Sequence, residues 1–391
     1  MDPVILVLNS GSSSIKFTLY WGEAVQFKGQ ISGLGATPRI SLASRVSDTK
    51  VDRALTADEG RSHGAALAAL LPVLEQELGE RTVDAVGHRV VHGGVAHTEP
   101  VRLTKEVLAD LKALEPLAPL HQPHNLAGIA AAREAFPEAM QVACFDTAFH
   151  RSHPWVNDTF ALPQPLYDEG VRRYGFHGLS YEYICSYLKQ AHPEIYAGRL
   201  VVAHLGNGAS MCAIRDGKSI GSTMGFTALD GLPMGTRCGQ LDPGVVLYLL
   251  TTKGMSPDAV SDLLYKQSGL KGLSGISQDM RTLTQSSDPK AAEAIEYFVF
   301  RIRRELGGMA AVLSGLDTVV FTGGIGENSA LIREKVCEGQ EWLDLEIDPA
   351  RNAACAEVVS TDTSRINILV IPTDEEAMIR HHTEELLGNS R

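Results

Sequence analysis

Runs of apolar residues alternate along this chain with polar, glycine-rich breaks and with longer segments of helical composition. The apolar runs, which predict buried strands, are residues 4–8, 83–91, 140–145, 200–203, 318–321 and 366–371. The segments that predict helices are residues 62–78, 104–114, 124–136, 180–190, 257–267 and 289–313. This mixture predicts an α/β protein, in which ligands bind at the carboxyl ends of the strands.

Two strand–turn–strand segments share one order of residues although about half the chain separates them. Asn9 precedes a serine-rich turn with Ser12 and Ser14, and Asn207 lies between two glycines. The similarity predicts two related halves. The first turn, beside Lys16, can bind phosphate through N–H groups, hydroxyls and an ammonium, although it lacks the Walker A pattern. The alternative is a plain solvated hairpin turn.

Residues 223–244 form a long glycine-rich segment that contains Arg237. Loops of this length in a compact domain are usually functional or disordered. The segment holds too many apolar residues, among them Met224, Leu232 and Met234, for a solvated linker. We therefore expect an ordered functional loop, with an ordinary surface loop as the alternative.

Composition restricts the class of protein. The 391 residues carry a net charge of −12, with 44% hydrophobic and 21% charged residues. These values predict a globular protein of two or three domains and argue against nucleic acid or a membrane surface as partner. The six cysteines show no metal-ligand spacing, and the most apolar window, residues 65–74, is too short to span a membrane. A cytoplasmic protein with reduced thiols is expected.

Isolated charged residues near strand ends and a helix start are the candidates for chemistry. Arg89 within an apolar strand indicates either a buried salt bridge or a guanidinium held for an anion. Asp146 follows residues 140–145, where a carboxylate can act on a ligand or simply cap a helix. His177 precedes a predicted helix and is either functional or structural.

Two further segments have the composition of ligand sites. Residues 323–328 (GGIGEN) follow a strand, which predicts a glycine-rich turn and helix around a nucleotide. Near the C-terminus, Thr373 and Glu376 have the spacing of a capping box, which leaves Asp374 and Glu375 to hold a divalent cation. Zinc at the HQPH segment, residues 121–124, is disfavoured because no further ligands have matching spacing.

Together these segments resemble the acetokinase family, within the acetate and sugar kinase/Hsp70/actin superfamily. The motifs that carry the resemblance are LNSGSSSIKF, GHRVVHGG, FDTAFH, YGFHGLSY, HLGNGAS, STMGFT, GTRCGQLDPG, FTGGIGEN and PTDEEAMI. The resemblance implies a homodimer of α/β chains with two duplicated ribonuclease-H-like (actin-like ATPase) domains and a central cleft. The first domain would be residues 1–147 plus about 375–391, with the C-terminal helix packed back, and the second residues 148–374, with most of the nucleotide site.

The resemblance also implies reversible, direct phosphoryl transfer between ATP and acetate, which gives ADP and acetyl phosphate and depends on Mg²⁺ (Mn²⁺ as an alternative ion). Asn9 and Glu375 would hold the metal, and Lys16 with Ser12 and Ser14 would contact phosphate. The residues it assigns to the nucleotide or its phosphates are His204, Leu205, Gly206, Asn207, Gly208, Asp279, Met280, Arg281, Gly324, Ile325, Gly326, Glu327 and Asn328.

The reacting groups follow from the same resemblance. Arg89 and Arg237 would hold the carboxylate and the transferring phosphoryl, which His177 and Asn207 stabilise. Asp146 would orient Arg237 or the substrate. The residues near the acid's pocket would be Val91 and Phe176. A carboxylate is ionised at neutral pH, so the reaction needs relief of anionic repulsion and no general base.

Two departures from the family pattern bear on these roles, since Asp374 replaces a usual Asn and Gln240 a frequent Asp. Asp374 would change the charge around the metal, and Gln240 would remove a partner near Arg237. A preference for propionate or butyrate is the alternative within the family, because one methylene contributes only about 1–3 kcal/mol. An ATP-driven interaction protein like actin or Hsp70 is disfavoured, because it leaves both arginines unexplained.

Overall fold

A computed structural model describes residues 2–11, 13–46 and 48–389. The strands are β1 Val4–Ser10, β2 Ser14–Trp21, β3 Ala24–Ser32, β4 Arg39–Ser44, β5 Lys50–Ala54, β6 Ala85–Val90, β7 Val101–Arg102, β8 Met140–Phe145, β9 Arg199–Leu205, β10 Ala209–Arg215, β11 Lys218–Ser222, β12 Thr318–Thr322 and β13 Asn367–Val370.

The helices alternate with these strands. They are α1 His63–Leu78, α2 Lys105–Ala113, α3 Gln122–Ala135, α4 Trp155–Asp158, α5 Gln164–Asp168, α6 Gly178–Ala191, α7 Pro193–Tyr196, α8 Pro243–Thr251, α9 Pro257–Lys266, α10 Gly269–Ser274, α11 Met280–Gln285, α12 Pro289–Val312, α13 Gly323–Asn328, α14 Ala330–Cys337, α15 Pro349–Ala353 and α16 Glu375–Gly388. Short 3-10 turns are Glu115–Leu117, Ala148–Ser152 and Glu341–Leu343. Of the helices in the described ranges, none is both long enough and apolar enough to cross a membrane.

The chain divides into two compact units. The first holds the chain up to Ala148 together with the segment from Asp374 onward, and the second holds Phe149–Thr373. In the first unit the sheet order is β5-β4-β3-β2-β1-β6-β8-β7, and β1, β6 and β8 are parallel. Asn9, Arg89 and Asp146 therefore lie at or just beyond the carboxyl ends of three neighbouring strands, the edge where α/β sheets bind ligands.

The second unit repeats this arrangement. Its sheet order is β11-β10-β9-β12-β13, with β9 antiparallel to β10 and parallel to β12. In each unit a three-strand antiparallel meander is followed by two parallel strands beside its first strand, which is the ribonuclease-H-like topology. The predicted α/β fold with two duplicated domains is confirmed. Asn207 occupies the β9–β10 turn, and Asn9 pairs with Lys16 next to the β1–β2 turn.

Several predicted elements differ in detail. Residues 155–171, whose prolines are typical of a loop, contain α4 and α5, each of which begins beside a proline. Proline suits the start of a helix, where its missing N–H is not needed. Pro72 does not end α1, which continues to Leu78. The expected glycine-rich turn after β12 is itself helical, because α13 begins directly at Gly323 with φ 75°.

Helix α16 packs against β1, β6 and β8 of the first sheet. Its close approach requires Gly87 in β6, since a Cβ there would lie 2.4 Å from Thr383 Oγ1 and 2.6 Å from Ile379 Cγ2. Ile379 and Thr383 are fully buried. This packing fixes the start of α16, and with it Glu375, near the strand ends that carry Arg89 and Asp146.

Gly87→Ala is expected to lower the free energy of unfolding by roughly 1–3 kcal/mol, because the added methyl overpacks the α16 contact. Differential scanning calorimetry should show a lower melting temperature for the first unit. The matched control is Gly308→Ala in α12, where no atom lies within 4 Å of the new Cβ; alanine there should be neutral or stabilising. Equal melting of Gly87→Ala and wild type would contradict the packing argument.

Candidate functional site

Arg89, near the end of β6, is held by two carboxylates of the first unit. Its Nε and Nη2 donate to Asp146 Oδ1 and Oδ2 at 3.0 and 2.7 Å, and its Nη1 lies 3.2 Å from Glu375 Oε2. Burial opposes the charge of Arg89, but attraction to Asp146 and Glu375 outweighs it and raises the pKa above its ordinary value. Both readings of Arg89 from the sequence remain compatible, because a paired guanidinium at a strand end can still turn donors toward an anion.

Two amides on α3 fix the segments that carry these groups, and the sequence analysis missed both. Asn125 donates from Nδ2 to the Ser10 carbonyl at 2.7 Å and accepts from the Val91 N–H at 3.0 Å, so it joins the ends of β1 and β6. Gln122 donates to the His92 carbonyl at 3.0 Å. Both amides belong to the HQPHN segment, residues 121–125, where the two histidines are the more conspicuous candidates.

The serine-rich turn of the first unit is only partly described. Ser12, a predicted phosphate ligand, lies outside the described residues. Ser14 begins β2 and its carbonyl accepts from the Gly11 N–H at 2.8 Å, while Lys16 is exposed on the same strand. His63 Nε2 donates to the Gly11 carbonyl at 2.8 Å, which ties the turn to α1. Exposure leaves the Lys16 ammonium accessible to a phosphate.

The capping arrangement at α16 differs from the predicted one. Asp374 is the N-cap and its Oδ1 accepts from the Ala377 N–H at 2.9 Å, whereas the Thr373 N–H donates to Glu327 Oε1. Glu376 instead pairs with Lys28 at 2.6 Å. A carboxylate is the stronger acceptor near the positive end of a helix, which explains why the aspartate takes the cap. Asp374 thus caps the helix, and Glu375, which pairs with Arg89 through Oε2, is the remaining acidic candidate for a cation.

The oxygen donors of Asn9 and Glu375 suit Mg²⁺, which commonly takes one or two carboxylates together with water and substrate phosphates rather than a full protein cage. Within the ranges that the structure describes, no group of three or more His, Cys, Asp or Glu side chains is arranged to hold a metal. Two oxygen donors are enough for a cation that takes its other ligands from water and phosphate.

In the second unit, His177 is the N-cap of α6 and adopts a left-handed backbone, with φ 59°. Its Nδ1 lies 2.8 Å from Ser210 Oγ, and its ring stacks on His204 with centroids 4.2 Å apart. His204 Nδ1 in turn lies 2.8 Å from Ser180 Oγ. These contacts fix the ring of His177 through Nδ1 and through stacking on His204.

The loop of residues 223–244 brings Arg237 to the same place. A Cβ on Gly208 would lie 2.9 Å from Arg237 Nη2 and 3.2 Å from His177 Nε2, so both nitrogens converge on one point. The Gly235 N–H donates to the Asn207 carbonyl at 3.1 Å, which joins the loop to the β9–β10 turn. With Leu232 and Met234 fully buried, this is an ordered loop and the alternative of an ordinary surface loop is wrong.

Unlike Arg89, Arg237 uses a main-chain acceptor, and its Nη1 donates to the Ala228 carbonyl at 2.6 Å. Burial lowers the pKa of Arg237 to about 10, which still leaves it protonated at neutral pH. Arg237 is partly buried, and its partner is a neutral carbonyl that does not compensate the positive charge of the guanidinium. Such a group attracts an anionic ligand.

A cavity of about 610 Å³ adjoins the β9–β10 turn. The predicted nucleotide residues that line it are Gly206, Asn207, Asp279, Met280, Arg281, Gly324, Ile325 and Asn328, with Gln278, Thr284, Gln285 and Ser329 beside them. Other predicted nucleotide residues, which do not line it, are His204, Leu205, Gly208, Gly326 and Glu327. At its rim, Arg281 Nη2 pairs with Asp279 Oδ2 at 2.7 Å and is largely exposed.

The residues outside that lining have packing roles. Glu327 Oε1 accepts from the Gly323 N–H at 2.9 Å and stabilises the start of α13. The fully buried Arg333, absent from the sequence-based candidates, donates to the carbonyls of Gly326 and Glu327 and so fixes the end of α13. Gln240, one of the two departures from the family pattern, accepts from Arg301 at 2.7 Å.

Val91 and Phe176, the predicted acid-pocket residues, are both buried, each in its own unit. The Val91 N–H is taken by Asn125, so its side chain is held at the exit of β6. The Phe176 carbonyl lies 2.9 Å from His150 Nε2. The main chain of each residue is thus fixed by a contact that the sequence alone did not indicate.

The repeated topology and these two polar edges define an α/β protein of the actin-like ATPase class. The chain belongs to the acetokinase family, whose model matches residues 4–381.

Named relatives agree over the full length. An acetate kinase of Methylocella silvestris is 57% identical, with 99% of this chain and 98% of the relative covered. The crystal structure of a propionate kinase from Francisella tularensis is similar with a TM-score of 0.91 and 36% identity, covering 98% of this chain and 99% of that one. The crystal structure of an acetate kinase from Porphyromonas gingivalis gives a TM-score of 0.87 and 37% identity, with 98% and 100% covered.

Proposed function

We propose that this protein transfers a phosphoryl group reversibly between ATP and acetate, giving ADP and acetyl phosphate. Family membership over residues 4–381 supports the reaction. The observation that carries it is the convergence of Arg237 Nη2 and His177 Nε2 on one point, above Gly208 and next to the cavity that Asn207 lines. Donors fixed in place before the reaction are the main catalytic need of phosphoryl transfer.

The chemistry explains why arginine and histidine suffice. Acetate, with a pKa of roughly 4–5, is already a nucleophile at neutral pH and needs no general base. Its attack on the γ-phosphorus brings two anions together, so positive donors at the equatorial oxygens lower the barrier. We assign this role to Arg237, His177 and Asn207, with direct in-line transfer and no phosphorylated side chain.

In the first unit, Arg89 is assigned to the acetate carboxylate. Asp146, which the resemblance assigned to Arg237 or the substrate, pairs with Arg89 instead and is assigned to orient it. The bidentate pair at 2.7 and 3.0 Å supports this role, since it fixes the plane of the guanidinium. Its Nη1 faces Glu375 at 3.2 Å and carries a second N–H beside the one that can point at that carboxylate. Lys16 and Ser14 are assigned to phosphate, and so is Ser12 on the sequence alone. Val91 and Phe176 are assigned to the methyl group of acetate.

The cavity of about 610 Å³ is assigned to the nucleotide, a volume in the range of small-molecule sites. Asn9 and Glu375 are assigned to Mg²⁺, with Mn²⁺ as an alternative ion. When bound, this ion neutralises phosphate charge. The residues of this chain supply the remaining contacts, with Asp279, Met280 and Arg281 on one side of the nucleotide cavity and α13 on another.

We assign the family's two domains to the two compact units, with boundaries near residues 147 and 375. The cytoplasm is the proposed compartment. None of the cysteines forms a disulfide in the part of the chain that the structure describes, which is typical of reducing compartments.

A homodimer is proposed, and α8 supports it. This helix is rich in apolar residues yet buries none of them within the chain, with Val245 39%, Leu247 62% and Tyr248 47% exposed. Contiguous exposed apolar surface marks an interaction site, and a second copy of the chain buries the same face from both sides.

Propionate is the second candidate substrate, because the propionate kinase from Francisella tularensis is as similar in fold as the acetate kinase structure. An apolar pocket discriminates one methylene by only about 1–3 kcal/mol. Partial activity with propionate is therefore compatible with the proposal.

With acetate, ATP, Mg²⁺ and hydroxylamine, the protein is expected to form acetyl hydroxamate, because the product acetyl phosphate acylates hydroxylamine. The colorimetric assay is repeated with propionate and butyrate, and kcat/KM should be highest for acetate. Omission of ATP is the control. The absence of hydroxamate with all three acids would overturn the proposed function. A higher kcat/KM for propionate than for acetate would make propionate the preferred substrate.

Arg237→Lys is expected to lower kcat by about 10³–10⁵, equivalent to roughly 4–7 kcal/mol of barrier, because an ammonium lacks the planar fork of donors. ATP binding, measured by calorimetry, should survive, since Arg237 does not line the cavity. Arg365→Lys is the matched control, because that arginine is exposed. If the variant keeps a kcat within about tenfold of wild type, the assignment of Arg237 to the transferring phosphoryl group is wrong.

Leu247→Glu is expected to convert the protein to monomers, because a charge on the α8 face must be desolvated in a dimer. Sedimentation velocity at several concentrations measures the state. Val46→Glu, which places the same charge at an equally exposed apolar residue outside α8, is the control. A Leu247→Glu protein that sediments like wild type would exclude α8 from the interface.

A further inference from the structure

A buried polar cluster in the second unit has no role in the assignments above. Its centre is Ser219, whose Oγ lies 2.8 Å from His150 Nδ1, 2.7 Å from His153 Nε2 and 3.2 Å from Cys212 Sγ. His150, Cys212 and Ser219 are fully buried, so substrate cannot reach them. The serine and the two histidines therefore have a structural role: their hydrogen bonds position other groups of the protein.

The donor and the acceptor can be assigned for each hydrogen bond that links His153, Ser219, His150 and the Phe176 carbonyl. His150 Nε2 lies 2.9 Å from the Phe176 carbonyl, which can only accept, so Nε2 carries the proton. Burial lowers the pKa of His150 to about 4 and of His153 to about 2, so both rings are neutral at pH 7. His150 Nδ1 then accepts from the Ser219 hydroxyl, and His153 Nε2 must donate to Ser219. The chain runs from His153 through Ser219 and His150 to the Phe176 carbonyl.

We propose that His150 is a positioning residue for His177, an inference that rests on the proposed function. The Phe176 carbonyl belongs to the peptide plane that joins Phe176 to His177, so a donor that holds this oxygen also holds the φ angle of His177. That angle is 59°, in the left-handed region that residues other than glycine rarely adopt. If His150 holds the backbone of His177 in this region, the orientation of the His177 side chain depends on His150.

Two further contacts support the role. Gly175 has φ 74°, and a Cβ on it would lie 2.6 Å from the His150 ring, so the backbone before Phe176 lies directly against that ring. The ring also meets Tyr181 edge-on, with centroids 5.6 Å apart. The Tyr181 hydroxyl bonds Ser210 Oγ, the partner of His177 Nδ1. His150 is thus linked to both the backbone and the ring of His177.

Three variants test the proposal. His150→Leu removes the donor, His150→Gln restores an N–H at a similar distance, and Ser219→Ala deletes one oxygen and leaves the packing. His150→Leu is expected to lower kcat about 10–100-fold, because a misplacement on the order of 1 Å costs up to that factor. KM for ATP should stay within about twofold, since the cavity has other linings. His150→Gln should recover a substantial part of kcat.

Nitrogen-15 NMR of labelled histidines reports the tautomer of each ring, which depends on hydrogen bonds and not on packing alone. In the wild type, His150 should give the signals of a neutral ring protonated at Nε2. Ser219→Ala should mix the two tautomers of His150, shift the His177 signals and lower kcat. His192→Leu, the same substitution at a partly exposed histidine of this unit, should leave kcat unchanged.

The outcomes separate this inference from the proposed function. A wild type without kinase activity, or a His177→Ala variant with normal kcat, overturns the catalytic role of His177 and with it this proposal. If His177→Ala is inactive while His150→Leu and Ser219→Ala keep wild-type kcat, only the positioning role is wrong. If His150→Leu does not fold, Ser219→Ala decides alone. If His150→Gln is as slow as His150→Leu and Ser219→Ala is normal, the ring acts by packing and the proposal fails.

Discussion

The placement of two partly buried guanidinium groups, those of Arg89 and Arg237, is the requirement around which the rest of this structure is built. Moving a positive charge out of water is costly, and the protein must supply partners. Arg89 receives the carboxylates of Asp146 and Glu375, whereas Arg237 receives a main-chain carbonyl. One chain thus contains one arginine that carboxylates compensate and orient, and one whose positive charge its carbonyl partner does not cancel. Both kinds are useful in an enzyme that transfers phosphoryl groups.

Close backbone contacts make these placements possible. Gly87 admits α16 to the face of β6, and Gly208 admits Arg237 and His177 to the β9–β10 turn. In each case the missing side chain lies some distance in sequence from the groups that it allows to approach. The amides of α3 act similarly, since Asn125 joins two strand ends by bonding to their main chains.

Much of the fold was predictable because its signals are local. Apolar runs located the central strands, and Ser256, Asp288 and the prolines after them located two helix starts. Tertiary competition was not predictable. Thr373 and Asp374 both qualify as caps, and the choice depends on Glu327, far away in sequence, which takes the Thr373 N–H. The glycine-rich residues after β12 were expected to turn, but they form a helix whose last carbonyls bond the buried Arg333.

The candidate site divides along the same line. Strand ends and motifs indicated Arg89, Asp146, His177 and Asn207, whereas the residues that hold them did not stand out. Gln122, Asn125 and Arg333 make mostly main-chain contacts, which leave no periodic or spacing pattern. Such partners become visible only when the chain is folded.

The left-handed backbone of His177 has a consequence for how this protein can change. A residue with a Cβ in that region gives up on the order of 1–3 kcal/mol, which glycine would not lose. Selection for heat resistance alone would favour glycine or asparagine at this position, whereas the catalytic role that we propose requires the imidazole. Under that proposal the two pressures act in opposite directions on one residue.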